Sequence, residues 1–219
     1  QLALYAEHMN MLMIENDSTL AEFKLSISQK YKRHRPRLLI LLGNPALLMR
    51  DEYRELWGDI PIVLCSEENY LGPQETYTKK QAIATADRTP LTQLADPYNM
   101  VLLYSNLYLD ENIQLICHIV PEIKKFIFIG DARQINQTNN LDIRNKLKKT
   151  HPNVEYQFIT PQDMTTNQLL DSLYFVDPKT TGVLFSSWFY KTTFAGNTSL
   201  VSNAHKLIGT TAAPIFTLN

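Results

Sequence analysis

A block of alternating apolar and polar segments near the start of the chain predicts its architecture. An apolar run over residues 38–42 ends at the turn-forming residues 43–45, and an amphipathic pattern of helical period covers residues 46–57. A second apolar run, residues 60–65, ends at the polar residues 66–69. Short apolar runs on either side of an amphipathic helix are typical of a βαβ unit, since buried parallel strands lose the alternation of period two. The block therefore predicts two parallel strands joined by a helix.

The same alternation continues along the chain. A capping box from Thr19 to Glu22, followed by apolar residues at helical spacing, predicts a helix before the first of these strands. Residues 70–98 are polar and contain three prolines, which predicts a long excursion with one short helix over residues 91–95. The remaining predicted strands cover residues 1–13, 100–104, 126–130, 154–159, 182–185 and 214–218, and the remaining predicted helices cover a segment capped by Asp110 and residues 141–149, 166–173 and 199–207.

Strands that alternate with helices favour the α/β class, with a mostly parallel sheet and helices on both faces. Near residues 98–110 the polar excursion ends and a regular alternation of strands and helices begins again. This change predicts an N-terminal lobe over residues 1–104 and a C-terminal lobe over residues 105–219. The apolar pattern of a structural element is already present in residues 1–11. Residues 214–219 are a strand-like run without a turn or cap after it. We therefore expect a fragment cut from a longer protein.

Composition narrows the classes of function. The formal net charge is -1, and basic residues cluster only over residues 30–37, where a helix end favours cations. This pattern argues against a nucleic-acid partner, which requires a basic stripe. No apolar run approaches the roughly 20 residues of a membrane span. Cys65 and Cys117 show neither CxxC nor metal-ligand spacing, so the sequence predicts no metal site.

Catalytic signatures are absent from the sequence. It contains no G-x-S-x-G elbow, no G-x-x-x-x-G-K-[ST] or G-x-G-x-x-G loop and no H-E-x-x-H helix, and its seven glycines are spread over the chain. The five histidines are scattered without ligand spacing. We therefore expect no catalytic residue and no cofactor.

Polar or aromatic residues do recur where predicted strands end. In an open α/β sheet the loops at the carboxyl ends of the strands line the ligand crevice. A few hydrogen-bonding groups beside an aromatic wall suit a small polar ligand. Trp188 is the strongest candidate for the wall, because aromatic residues flank it, and the alternative for Trp188 is a core position at the sheet edge. The candidate ligand-binding residues are Asn44, Glu67, Glu68, Asn69, Asp131, Ser186, Ser187 and Trp188.

Four segments of the chain resemble one protein family. They are KYKRHRPRLLILLGNPALLMRDEYRELWGDIPIVLCSEENY, NMVLLYSNLYLDENIQLICHIVPEIKKFIFIGDA, TGVLFSSWFY and AAPIFTLN. They resemble the substrate-binding-protein-like family related to ABC-transporter solute receptors, and most closely the extracytoplasmic sensor regions of bacterial hybrid two-component histidine kinases. The resemblance spans nearly the whole chain, with residues 70–98 least covered.

The resemblance implies a type I periplasmic-binding-protein fold, in which two Rossmann-like lobes close on a ligand between them. Family members carry an opening strand and helix before the segment that starts here at Gln1. They also continue past the segment that ends here and cross back to the first lobe. The resemblance therefore implies that this chain is a fragment lacking both ends of the fold.

The expected function is a periplasmic ligand-sensing domain of a sensor histidine kinase, tethered to the membrane in the full-length protein and forming a homodimer. Its ligand is expected to be a sugar, nucleoside, amino acid or organic acid that signals by lobe closure. Three alternatives stay open. They are a solute-binding protein of an ABC transporter, a small α/β enzyme that needs Glu67 or Asp131 for turnover, and a sensor with a vestigial cleft that responds through a partner protein.

Overall fold

The chain divides into two compact units, residues 1–106 and 107–219, close to the division predicted between residues 104 and 105. The structure, a computed structural model, describes residues 3–105, 107–194, 197–202, 211 and 213–218. Each unit contains one parallel sheet with helices beside it, which confirms the α/β class.

Unit 1, residues 1–106, alternates helices and strands as the apolar pattern predicts. Its elements are α1 (Asp17–Tyr31), β1 (Leu39–Leu42), a 3₁₀ helix (Asn44–Met49), α2 (Arg50–Trp57), β2 (Ile62–Ser66), β3 (Tyr70–Leu71), α3 (Gln74–Thr78), a short 3₁₀ turn (Thr85–Asp87), β4 (Thr89–Pro90), α4 (Leu91–Ala95) and β5 (Met100–Tyr104). β1, β2 and β5 form a parallel sheet in that order. The predicted βαβ unit is therefore confirmed, with a 3₁₀ turn at the start of its helical segment.

Two expectations for the first 20 residues are wrong. Residues 3–13 form no strand, and Leu4 and Tyr5 in this segment are exposed. The capping box of α1 begins at Asn16 rather than Thr19: Asn16 Oδ1 accepts from the Thr19 N–H at 2.9 Å, and Thr19 Oγ1 accepts from the Asn16 N–H at 3.2 Å. Asn is as strong an N-cap as Thr, so the helix starts one turn earlier than predicted.

The sheet of unit 1 is covered on one face only within the described residues. Its inner row, formed by Leu41, Leu64 and Leu102 in register, packs against α1, α2 and α4. The side chains of Ile40, Leu42, Val101 and Leu103 point to the opposite face and are exposed, because successive residues of a strand alternate between faces. The expectation of helices on both faces is therefore wrong for this unit as described.

The excursion over residues 70–98 is packed onto unit 1. The predicted helix over residues 91–95 is confirmed as α4, and Tyr77, Ile83 and Leu91 are fully buried in the core of the unit. Gly72 allows this packing, since a Cβ at Gly72 would lie 2.4 Å from Ile83 Cδ1. Burial raises the pKa of Tyr77, and its hydroxyl accepts a hydrogen bond from the Gly72 N–H at 3.2 Å. The excursion is therefore a structural part of unit 1.

Unit 2, residues 107–219, has helices on both faces of its sheet. Its elements are α5 (Leu109–Ile119), β6 (Lys125–Ile129), α6 (Gln134–Thr150), β7 (Glu155–Ile159), α7 (Thr166–Tyr174), β8 (Thr181–Phe185), β9 (Phe189–Phe194), β10 (Asn197–Ser202) and β11 (Ile215–Thr217). The sheet has the order β11, β8, β6, β7, and every pairing in it is parallel. One core joins α5 and α6 to Phe126, Phe128 and Leu184, and the other joins α7 to Ile127, Ile129 and Val183.

Three details of unit 2 differ from the predictions. Tyr108 is the N-cap of α5, so Asp110 lies in the first helical turn. α6 begins at Gln134, seven residues before the predicted start at Leu141, because its first half is polar and gives no apolar period. Residues 199–202, predicted as helix, belong to β10, which pairs antiparallel with β9, and residues 203–207 of that predicted helix lie outside the described residues.

Substitutions of two adjacent leucines on β1 test whether only one face of the unit 1 sheet is covered. Leu41 is 6% exposed and Leu42 is 76% exposed. Leu41→Ala should lower the free energy of unfolding by about 2–5 kcal/mol, because truncation of a buried leucine loses transfer energy and leaves a cavity. Leu42→Ala should change it by less than about 0.5 kcal/mol. Urea unfolding measures both values, and equal losses would mean that the outer face is covered in solution.

Candidate functional site

The sequence-predicted site residues form two clusters, one at the sheet edge of each unit. Asn44 follows β1, and residues 67–69 follow the neighbouring strand β2, which ends at Ser66. In unit 2, Asp131 follows β6, and residues 186–188 follow the neighbouring strand β8. Neighbouring parallel strands place their carboxyl ends at the same edge, so each pair of loops comes together.

The cluster of unit 1 is a buried polar network around Asn44. A turn at Gly43 positions Asn44. Gly43 has a φ of 85°, and its N–H donates to the Cys65 carbonyl at 2.8 Å. The Asn44 amide nitrogen donates to the Tyr70 carbonyl, and Ser66 Oγ donates to the Asn44 amide oxygen. These bonds tie the loop after β1 to the loop after β2.

Glu68 is held in the same network. Its N–H donates to Ser66 Oγ at 3.0 Å, and its Oε1 accepts from the Tyr70 hydroxyl at 2.6 Å. Asn44 and Glu68 are both buried, so their polar groups hold the loops in place. Their role as ligand-binding residues stays a prediction.

Glu67 and Asn69 are the exposed members of the unit 1 cluster. Neither side chain makes a hydrogen bond or ion pair with the residues that the structure describes. The backbone carbonyl of Asn69 accepts from the Leu91 N–H at 2.9 Å, which anchors the loop to the start of α4. The loop therefore presents these two polar side chains to solvent on a fixed backbone.

The cluster of unit 2 surrounds the carboxylate of Asp131, which is fully buried. Asp131 Oδ1 accepts from the Arg133 N–H, from Arg133 Nε and from Asn136 Nδ2, each at 2.9 Å. Asp131 Oδ2 accepts from Ser187 Oγ at 2.7 Å and from Arg133 Nε at 3.1 Å. A buried carboxylate is stable only when it is paired and hydrogen-bonded, and both oxygens of Asp131 meet this requirement.

Arg133 and Asn136 belong to the cluster and were missed by sequence reasoning. Arg133 is the N-cap of α6, and its guanidinium carbon lies 5.1 Å from the centre of the Phe189 ring. Asn136 Nδ2 also donates to Ser187 Oγ at 2.9 Å, which closes a ring of contacts with Asp131. The sequence predicted the start of this helix at Leu141, so no signal indicated that Arg133 is the N-cap and that Asn136 lies in the first turn.

Close packing between β6 and α6 is a condition for this cluster. A Cβ at Gly130 would lie 3.0 Å from Asn136 Cγ and 3.1 Å from Phe158 Cε2. Asn136 is fully buried, and its Oδ1 has no hydrogen-bond partner among the described residues. Gly130 therefore allows the amide of Asn136 to approach the end of the strand.

Ser186, Ser187 and Trp188 have three different environments. Ser186 is half-buried, and its N–H donates to the Ile129 carbonyl at 2.9 Å, which continues the ladder between β8 and β6. Ser187 is part of the Asp131 network. Trp188 is fully buried in the core on the α7 side, and its indole N–H donates to Thr166 Oγ1 at 3.0 Å. Trp188 thus has the place of a core aromatic in this structure, and its role as a ligand wall stays a prediction.

No family model, curated protein or solved structure matches the chain. Among the described residues, no helix is long and apolar enough to cross a membrane. The same residues contain no group of three or more His, Cys, Asp or Glu that could hold a metal ion. The geometry of the two clusters is therefore the structural basis for a functional proposal.

Replacement of the buried carboxylate tests the unit 2 network. Asp131→Asn should lower the free energy of unfolding by about 3 kcal/mol, since the amide removes the charge partner of Arg133 and turns an NH₂ group toward hydrogen-bond donors. Asp171→Asn, on the exposed side of α7, is the matched control and should leave stability unchanged. Urea unfolding of both variants is the measurement, and equal stabilities would contradict the network.

Fluorescence tests the position of Trp188. In a Trp57→Phe variant, Trp188 is the sole tryptophan. Its emission should be blue-shifted and resistant to quenching by acrylamide, because the ring is fully buried. Red-shifted emission that acrylamide quenches readily would contradict the core position and favour the ligand wall.

Proposed function

We propose that this chain is a ligand-sensing domain that binds a small polar ligand at the carboxyl ends of its parallel strands. The observation that carries the proposal is the placement of the predicted polar residues. In each unit they gather at one sheet edge, where open α/β sheets bind ligands.

The two clusters supply two kinds of group for this function. Asn44, Ser66 and Asp131 are buried, and their hydrogen bonds are satisfied within the protein. Such groups fix the loops at the sheet edge, and fixed loops hold binding side chains in place. Glu67 and Asn69 in unit 1 and half-buried Ser186 in unit 2 are more accessible, and each is the side chain that we expect to contact a ligand at the sheet edge of its own unit.

We further propose that the domain belongs to a two-component sensor histidine kinase and lies outside the cytoplasmic membrane. This part of the proposal rests on the resemblance of the sequence to such sensor regions. The domain is then tethered to the membrane in the full-length protein and acts as a homodimer. A ligand can shift an equilibrium between two conformations only by the difference between its affinities for them. A ligand with equal affinity for both conformations would bind without a signal.

A thermal-shift screen of the full chain against sugars, amino acids, nucleosides and organic acids tests ligand binding. A ligand at 100 times its dissociation constant should add about 2.7 kcal/mol of stability, which raises the melting temperature measurably. Glu67→Gln, Asn69→Ala and Ser186→Ala should weaken that shift with little change in the melting temperature of the free protein. Gln93→Ala, on the exposed side of α4, is the control and should leave the shift unchanged.

Two results would contradict the proposal. The first is the absence of a shift with every compound in a well-folded sample, which would favour a sensor that responds through a partner protein. The second is chemical conversion of a stabilising compound, which mass spectrometry of the incubated mixture would detect, since a sensing domain releases its ligand unchanged.

A further inference from the structure

Arg133 has an unusual environment for a side chain at a sheet edge. It lies at the start of α6, its Nε donates to both oxygens of the Asp131 carboxylate at 2.9 and 3.1 Å, and its guanidinium carbon lies 5.1 Å from the centre of the Phe189 ring. The Arg133 side chain is 36% exposed, although Asp131 is fully buried. The Nε side of the guanidinium is therefore held by a buried carboxylate, and 36% of the side-chain surface remains accessible to solvent.

Asp131 does not use the whole hydrogen-bonding capacity of Arg133. A guanidinium carries five N–H donors, and only the Nε donor meets the carboxylate. The two terminal amino groups of Arg133 donate to none of the described residues. A pair of parallel N–H groups on these amino groups matches the two oxygens of a carboxylate or a phosphate.

The Asp131 carboxylate does not depend on the guanidinium alone for its hydrogen bonds. Asn136 Nδ2, Ser187 Oγ and the Arg133 N–H all donate to it in addition to the guanidinium. The first turn of α6 contains no acidic residue and no side-chain cap, and α6 is 17 residues long. The partial positive charge of this helix end therefore lies beside the ion pair of Arg133 and Asp131.

We infer that Arg133 forms a subsite for an anionic group of the ligand, a carboxylate or a phosphate. This inference rests on the proposed ligand-binding function and deepens it by naming the chemistry of one end of the ligand. Asp131 and the Phe189 ring hold the guanidinium in place, so the side chain loses little further freedom when the anion binds. Lysine in place of Arg133 would keep a charge near Asp131 but lose the planar pair of donors.

Paired probes that differ in charge test the subsite on the full chain. Succinate and glucose 6-phosphate are the anionic probes, and succinamide and glucose are their neutral counterparts. We expect at least one anionic probe to bind in calorimetric titrations and to bind more weakly as salt is raised, whereas its neutral counterpart should bind at least about 10-fold more weakly. The succinate and phosphate arms identify which anion the subsite prefers.

Substitutions at Arg133 test whether the anionic probe binds at this side chain. Arg133→Gln should weaken binding of the anionic probe by about 10-fold or more, and Arg133→Lys should recover only part of this loss. Arg144→Gln, at an exposed arginine of the same helix, is the control and should bind normally. Because Arg133→Gln also removes a partner of Asp131, a second readout follows the guanidinium ¹⁵N resonances of Arg133 in the unsubstituted protein, which the anionic probe should shift.

The outcomes separate this inference from the proposed function. If neutral compounds bind as tightly as their anionic counterparts, or if Arg133→Gln binds the anionic probe normally, the subsite is overturned and the ligand-binding function stands. If no compound in either panel binds the folded chain, both the subsite and the proposed function are overturned.

Discussion

Parallel strand pairing is the constraint on which both units depend. A parallel pair cannot be closed by a tight turn, so each strand must be followed by a crossover, and here the crossovers carry α2, α6 and α7. The same geometry brings the carboxyl ends of neighbouring strands to one edge. Strand pairing therefore brings together the loops after β1 and β2 and the loops after β6 and β8. The local sequences of these loops do not determine that they meet.

Burial of polar groups at these edges requires internal partners. Unit 1 satisfies Asn44 with Ser66 and the Tyr70 carbonyl, and unit 2 satisfies Asp131 with Arg133, Asn136 and Ser187. A carboxylate without such partners would cost several kcal/mol. The networks thus hold the loops together, and the accessible groups around them are the ones that we propose for ligand contact.

The two sheets differ in how they are covered. The unit 2 sheet has a core on each face, as a parallel sheet normally does. The outer face of the unit 1 sheet has two cross-strand rows of apolar residues, one through Ile40, Val63 and Val101 and one through Leu42, Cys65 and Leu103. These rows carry no charge, and their edge positions are exposed. The apolar runs in the sequence therefore include residues that remain exposed among the described residues.

The sequence by itself determined the strands of the two parallel sheets and most helices, because an apolar run or an apolar period reports directly on a buried face. It located β5 and α4 to the residue and identified the loops that carry Asn44 and Asp131. Only the tertiary structure decided that α6 begins with buried polar residues and that Arg133 and Asn136 surround Asp131. It also decided that Trp188 packs in the core. The physical reason is that burial of a polar side chain depends on partners distant in the chain: Asn136 is buried because Ser187, 51 residues away, accepts its hydrogen bond.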